Sequence, residues 1–400
     1  MLRLSNLPRR LLRTGLFLFV TALALWVNTA AAQAEGPAAP DAGEPLCAVS
    51  RAQPDARPVG CLRLGPAGYL DRMARDGITF PLPTLSYRQI EADMSDVGYD
   101  YMIVRDDSGA TIPVYASLED ARRRRDPVDT LRTNFSYIAY RRIVEDRYVQ
   151  TVSGYWVWRG DVSPVSSRPP FQGLVFDTPP QIDFGWAYDR ITPRAGPGEA
   201  FPAAAGPDLL AQQVVPVYST RLIDGVEWYS IGPDRWVSDL HLNYAQRSAS
   251  PPPGVVGERW IEINLDEQVH SVFDRGQLVI ATVIASGRPP LDTQPGLFNI
   301  YIKLEADVMS GATLADGSDY YYLDRVPYTM YFDGGRALHG AYWRARLGRP
   351  QSHGCVNLAI GDAHWIYDWA QLGEYVYVRD FDSPAAETVG ASSASAGGDS

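Results

Sequence analysis

Ala337-Leu338-His339-Gly340, followed after a ten-residue spacer by Gln351-Ser352-His353-Gly354-Cys355-Val356-Asn357-Leu358, is the stretch on which the reading of this chain turns. It holds two of the five histidines and one of only three cysteines, and His339 precedes Cys355 by sixteen positions. Cysteine acyl transfer needs a thiol, an imidazole to take its proton and backbone N–H groups close to the reacting carbonyl. A free thiol has a pKa of about 8.5, so at neutral pH an adjacent base must generate the thiolate. A thiolate–imidazolium pair is therefore the expected nucleophile.

His-Gly, a spacer, then Ser-His-Gly-Cys, an apolar residue and Asn resembles the signature of the L,D-transpeptidase family, the YkuD-type catalytic domain. The resemblance covers about residues 258–380. It implies Cys355 as nucleophile and His339 as general base and acid, with the Gly340 carbonyl orienting the imidazole in place of an acid side chain. No Asp or Glu stands in the motif. The N–H groups of Gly354 and Cys355 are the expected oxyanion donors, and losing one such donor costs about 3 kcal/mol of transition-state stabilisation. Ser352 and His353 complete the motif as support, Ser352 by local hydrogen bonding. His353 is the alternative base. Asn357 stands where many relatives carry Arg, so it can donate hydrogen bonds but brings no charge. No metal or organic cofactor is implied.

Around the motif, Arg344 and Arg346 lie in the spacer, where they would read carboxylates of an acidic peptide or serve as solvated loop charge. Tyr331 and Trp343, with Tyr320, Tyr321, Tyr322 and Tyr328, would line a substrate cleft or pack in a β core. His241, His270 and His364 read as ordinary packed or surface histidines. A zinc site from His339, His353, His364 and Cys355 is the metal alternative, but the sequence lacks spaced ligand pairs such as C-x2-C.

Working outward, the 400 residues predict two or three domains. A composition 46% hydrophobic and 21% charged is globular. The net charge of −11 argues against nucleic acid as a partner, because phosphate binding needs a basic face. Arg3, Arg9, Arg10 and Arg13 precede an apolar run, Gly15 to Val27, and then Ala30-Ala31-Ala32-Gln33-Ala34. This is the design of a secretory signal peptide over residues 1–34, and the run is short for a membrane span. Export to the periplasm or cell wall is expected, with membrane attachment only if the segment stays uncleaved. In that compartment Cys47 and Cys61 are expected to pair, closing a loop worth about 3 kcal/mol and leaving Cys355 as the free thiol.

Residues 35–105 form an N-terminal region without a readable function. An internal echo follows: Ile112-Pro113-Val114-Tyr115 resembles Val215-Pro216-Val217-Tyr218. Each copy leads into short alternating segments rich in Tyr and Trp, so the fold is expected to be an array. Residues 211–247 look like a bacterial SH3-type module, and 106–165 are a weaker match. The linkers are expected at 166–210, rich in Pro and Gly, and at the Pro-rich 248–257. The catalytic region opens with a β-meander over Trp260–Leu265, Val269–Phe273 and Leu278–Ile284, followed by Ser286-Gly287. Further strands fit Leu297–Leu304, Val326–Phe332 and Glu374–Val378, and a helix fits Asp362–Leu372. Residues 381–400 read as a disordered tail. The fold class is therefore mainly β: an L,D-transpeptidase-like domain with a short helix, preceded by two small SH3-like barrels.

The resemblance implies an enzyme acting on peptidoglycan stem peptides. Cys355 would attack the carbonyl between the third and fourth residues of a tetrapeptide, and an amine of another stem would complete a 3→3 cross-link. Water as acceptor would make it an L,D-carboxypeptidase, and an amine of a wall protein would make it an anchoring enzyme. The SH3-like modules would bind wall glycan or peptide, by stacking on Trp156, Trp158, Trp228 or Trp236 unless these form barrel core. A non-catalytic wall-binding protein is the reading from another class.

Overall fold

The computed structural model describes residues 70–380 apart from positions 72, 106, 108, 109, 134, 167, 171, 248 and 313. Upstream it describes only the backbone of Leu46–Cys47 and Leu62–Arg63, which pair parallel. The expected signal segment, the Cys47–Cys61 bridge and the 381–400 tail lie outside the described residues. The chain divides after Leu64, and all that follows concerns the described residues beyond that point.

The meander forms as its alternation predicts. Strands Trp260–Asn264, Val269–Asp274 and Gln277–Val283 pair antiparallel in sequence. Arg275 and Gly276 at their second turn both have positive φ, which a tight hairpin requires. At the first turn the Asn264 side chain accepts from the N–H groups of Asp266 and Glu267 at 3.1 Å. Tyr375–Arg379 adds parallel to Trp260–Asn264, and Gly296–Asn299 pairs with it antiparallel.

This six-stranded sheet buries both faces. Ile261, Ile263, Val272 and Ile280 face the main core, while Trp260, Phe273, Leu278 and Ala281 face a second cluster. Across the main core stands a second sheet, whose strands run in the order Val356–Leu358, Arg336–Gly340, Tyr321–Asp333, Phe135–Val144, Asp100–Val104 and Val162–Pro164. Helix Ile360–Trp369 closes the sandwich with Ala363 and Ile366. The expected strand Leu297–Leu304 is two strands in different sheets, Gly296–Asn299 and Ile302–Gly311.

The expected array of separate modules is corrected here. Phe135, Ser136 and Tyr137 pair parallel with Tyr321, Tyr322 and Leu323, so the first module and the catalytic region share one sheet. The first module packs its remaining strands around Met102, Ile112, Val114, Ile138 and Val149. Residues 166–210 are not a linker. Leu174–Val175 adds an edge to the six-stranded sheet, and Asp183–Ala187 is the centre of a three-stranded sheet with Val214–Val217 and Leu242–Ala245. Pro and Gly break the pattern there, but Leu174, Phe176, Phe184 and Trp186 are apolar surface that folding must bury.

The echo is structural. Ile112 to Val114 and Val215 to Val217 lie in strands, and Trp156–Trp158 and Arg235–Ser238 each lead through a 3-10 turn into a final strand. Trp156, Trp228 and Trp236 are buried, so these three rings are core and present no stacking platform. Trp158 is half-buried beneath the Arg124 guanidinium at 4.2 Å.

Asp362, in the first turn of the helix, ties the crossing segment to the sandwich. It accepts from Gly173 N–H at 3.0 Å and from the Thr282 hydroxyl at 2.5 Å. Burial pushes its carboxyl up to about 7, against the hydrogen bonds from Thr282 and Gly173. Unfolded, the same carboxyl ionises near its ordinary value of 3.8. Between those values the folded state binds more protons, so stability falls as pH rises. Asp362→Asn is expected to flatten this fall by up to about 1 kcal/mol per pH unit, read from denaturation midpoints at pH 4.5 and 7. An unchanged slope would place the proton elsewhere, with Glu267, also pushed to about 7 by burial, the next carboxyl to replace.

Candidate active site

Arg336–Gly340 carries His339, and Val356–Leu358 begins one residue after Cys355. The two strands pair parallel, with Leu338 opposite Val356 and His339 opposite Asn357. This register joins the two halves of the motif across the spacer. His339, Cys355, Trp343, Arg344, Ser352, His353 and Asn357 then line one slot of about 40 Å³.

His339 is 2% exposed, and its Nδ1 lies 3.3 Å from the Gly340 carbonyl oxygen. A carbonyl can only accept, so Nδ1 carries the proton and Nε2 is left basic. The Trp343 ring lies 5.5 Å from the imidazole. Burial pushes His339 down to about 4; the Gly340 hydrogen bond opposes this and the Arg344 charge adds to it. Cys355 is half-buried, with its Sγ 3.8 Å from the Gly335 carbonyl oxygen. Enclosure of the sulfur pushes the thiol up, against a hydrogen bond from Ala337 N–H and the charge of Arg336. Burial thus disfavours both charged forms, the thiolate and the imidazolium.

The nucleophile turn is built by short-range bonds. Ser352 Oγ accepts from Gly354 N–H at 3.0 Å and donates to the Cys355 carbonyl at 2.5 Å, the local role expected of it. Thr293 Oγ1 accepts from Gly287 N–H and donates to the Gly354 carbonyl, both at 2.9 Å. Gly354 has φ +113°, and a Cβ there would stand 3.0 Å from Arg336 Nε, so only glycine fits. The expected oxyanion pair is corrected by the first of these bonds: Gly354 N–H is spent on Ser352, and of the two donors Cys355 N–H remains. Asn357 is also occupied, donating from Nδ2 to the Ala285 carbonyl at 3.0 Å.

His353 is exposed and stacks on Tyr321 at 5.4 Å, whereas His339 is enclosed beside the thiol. Tyr331 does not line the slot; its hydroxyl donates to Asp307 at 2.7 Å. Arg346 leaves the site altogether, with its guanidinium 5.4 Å from the Tyr188 ring. His364 stacks on Tyr328 at 4.1 Å, and its Nδ1 is 2.9 Å from the Met94 carbonyl. His270 is fully buried, and burial holds it neutral by pushing it to about 3. His241 pairs with Asp189 at 3.2 Å.

A family model described as the L,D-transpeptidase catalytic domain, YkuD, matches residues 258–378. Those residues are a YkuD L,D-transpeptidase catalytic domain. Among solved structures, the catalytic domain of the E. faecium L,D-transpeptidase is 27% identical, over 32% of this chain and 100% of that one, with a TM-score of 0.28. The Stackebrandtia nassauensis L,D-transpeptidase is 25% identical over 32% of this chain and 57% of that one, with a TM-score of 0.26. Mycobacterium tuberculosis L,D-transpeptidase 1 is 23% identical over 31% and 62%, with a TM-score of 0.27. The chain thus spans between half and two thirds of the length of these last two. No curated protein matches it.

Both upstream modules grip the transpeptidase domain's spacer loop. Tyr342, fully buried, meets Tyr137 of the first module at 5.9 Å, stacks on Tyr101 in the strand just before that module at 3.4 Å, and donates to the Asp324 carbonyl at 2.7 Å. Asn243 of the second module donates from Nδ2 to the carbonyls of Gly348 at 3.0 Å and Glu267 at 2.8 Å. Arg349 stacks its guanidinium 4.0 Å from the Tyr188 ring. The loop is pinned at both ends.

Sequence reasoning missed Phe135 and Arg288. Phe135 reaches the slot only through a parallel strand pairing formed across nearly two hundred residues. Arg288 directly follows the Ser286-Gly287 that marks the opening of the domain, and its N–H donates to the Ser352 carbonyl at 3.2 Å.

Proposed function

We propose that this protein is an exported cysteine acyltransferase that forms 3→3 cross-links in peptidoglycan. The observation carrying this reading is the parallel pairing of the His339 and Cys355 strands, which leaves a basic Nε2 and a half-exposed thiol in one slot. Cys355 attacks the carbonyl between the third and fourth residues of a tetrapeptide stem as His339 takes the thiol proton. Cys355 N–H stabilises the oxyanion. His339 then protonates the leaving D-Ala amine, and a thioester remains. An amine on the third residue of a second stem attacks, returning the proton to His339 and freeing the thiol. Water in its place makes the enzyme an L,D-carboxypeptidase, and the amine of a wall protein makes it an anchoring enzyme. The signal-like N-terminus supports export to the periplasm or cell wall. The two SH3-like modules would bind wall glycan or peptide, by surfaces other than their buried tryptophans.

Incubation with a synthetic tetrapeptide, followed by mass spectrometry of the protein, tests this. An acyl adduct on Cys355 with D-Ala release supports it. Added acceptor amine then separates cross-linking from hydrolysis. Folded protein with a reactive thiol but no adduct would favour the wall-binding reading.

The burial of both groups sets the pH profile. The active form carries one proton shared by thiol and imidazole, so kcat/KM for acylation is expected to rise through about pH 4, as His339 loses its proton. It then stays level until the thiol itself ionises above its ordinary value of 9.0. Alkylation by iodoacetamide needs only thiolate and is expected to keep climbing above pH 9. Fast alkylation at pH 6 would mean a preformed ion pair.

A further inference from the structure

The slot at Cys355 is far smaller than the several hundred Å³ that a ligand's body usually occupies. It has room for the reacting carbonyl and little more. A groove of about 460 Å³ adjoins it, sharing Phe135, Arg344 and His353 with the slot. Arg288 and Arg344 both line this groove.

Neither guanidinium has a carboxylate partner among the described residues. Arg344 donates to the Gln351 carbonyl at 2.6 Å and the Gln351 amide oxygen at 3.3 Å, both neutral, and its buried Nε has no acceptor. Arg288 is exposed and makes no side-chain hydrogen bond or ion pair there. Asp319 on the same rim accepts from Leu314 N–H at 3.0 Å. In a chain with net charge −11, two arginines without ion-pair partners outweigh the single Asp319 carboxylate in this groove, which leaves it net positive. Burial depresses Arg344, Tyr137 opposes this, and the Arg288 charge adds a smaller depression. An oxyanion between them would relieve that repulsion and give the buried Nε an acceptor.

We propose that the groove between Arg288 and Arg344 is a subsite for a free carboxylate of the peptide that acylates Cys355, with Arg288 as its specificity-determining residue. This rests on the acyl-transfer reading above. Arg288 is placed by its backbone bond to Ser352 beside the nucleophile turn, and Phe135 closes the groove with an apolar wall from the first module. The charge pair selects the donor and takes no part in bond breaking, so its loss falls on KM more than on kcat.

The test uses the full chain with three tetrapeptide donors: one with all carboxylates free, one amidated at the C-terminus and one amidated at the third-residue side chain. One of the two amidations is expected to raise KM about 10-fold to 100-fold with kcat nearly unchanged, and Arg288→Ala is expected to erase that difference. Arg288→Lys, which keeps the charge without the fork, restores part of it. Arg288 is exposed, so its alanine variant folds, whereas Arg344 also braces Gln351 and is the second variant. Equal KM for all three donors, or an amidation penalty that survives in Arg288→Ala, overturns the subsite and leaves the acyl-transfer reading standing. No adduct from any donor, in protein whose Cys355 is alkylated by iodoacetamide, overturns that reading and the subsite with it.

Discussion

Cys355→Ala is expected to abolish acyl-enzyme formation, lowering kcat/KM on the order of 10⁴-fold or more. The slot places the thiol beside a buried imidazole, and its serine hydroxyl, that of Ser352, is committed to the Cys355 carbonyl and Gly354 N–H. Serine should not rescue it, because an imidazole held near pH 4 is too weak a base for a hydroxyl, whose proton is far harder to remove than a thiol's. The fold is expected to survive, since Cys355 is half-buried and the turn around it is held by Ser352 and Thr293. Mass spectrometry of the protein after exposure to tetrapeptide reads the adduct directly. Acylation persisting at a tenth of the wild-type rate in Cys355→Ala would move the nucleophile elsewhere.

Tyr342→Ala is expected to cost about 4 kcal/mol, a large part of the 5–15 kcal/mol typical of a folded domain. It removes a fully buried ring that stacks on Tyr101 and meets Tyr137 at 5.9 Å. It also leaves the Asp324 carbonyl without its hydroxyl donor. Tyr342→Phe keeps the stack and is expected to cost only about 1 kcal/mol, the net value of one hydrogen bond. Denaturant midpoints of the two variants separate ring from hydroxyl. A cost below about 1 kcal/mol for Tyr342→Ala would mean that the first module does not brace the spacer loop.

The parts of the molecule legible in the sequence were those where neighbours in the chain decide the outcome. The meander follows from the alternation in Trp260–Asn264 and Val269–Asp274 and from Arg275-Gly276 at the turn. The helix carrying Ile366 and Trp369 follows from helical spacing, with its start displaced by two residues from Asp362 to Ile360. Where periodicity had no partner information it failed. Nothing local in Phe135-Ser136-Tyr137 names Tyr321–Leu323 as the strand it joins, and Pro and Gly between 166 and 210 hid two strands built on a few apolar residues. Arg346 and Tyr331 look like site residues by position, yet side-chain direction sends one to Tyr188 and the other to Asp307.

The sequence by itself determined the chemistry on offer: a lone motif cysteine, two histidines at the family spacing, and glycines where no other residue fits. Those are properties of residue type and short-range geometry. The tertiary structure alone decided how the chemistry is set. Burial, a long-range quantity, pushes the thiol up and the imidazole down. Ser352 takes the Gly354 N–H. Strand pairing and two docked modules fasten the spacer loop and bring Phe135 to the slot. The unbalanced Arg288 and Arg344 meet only once the chain has closed, because charge complementarity in a groove depends on which side chains fail to find partners, and local sequence does not record that.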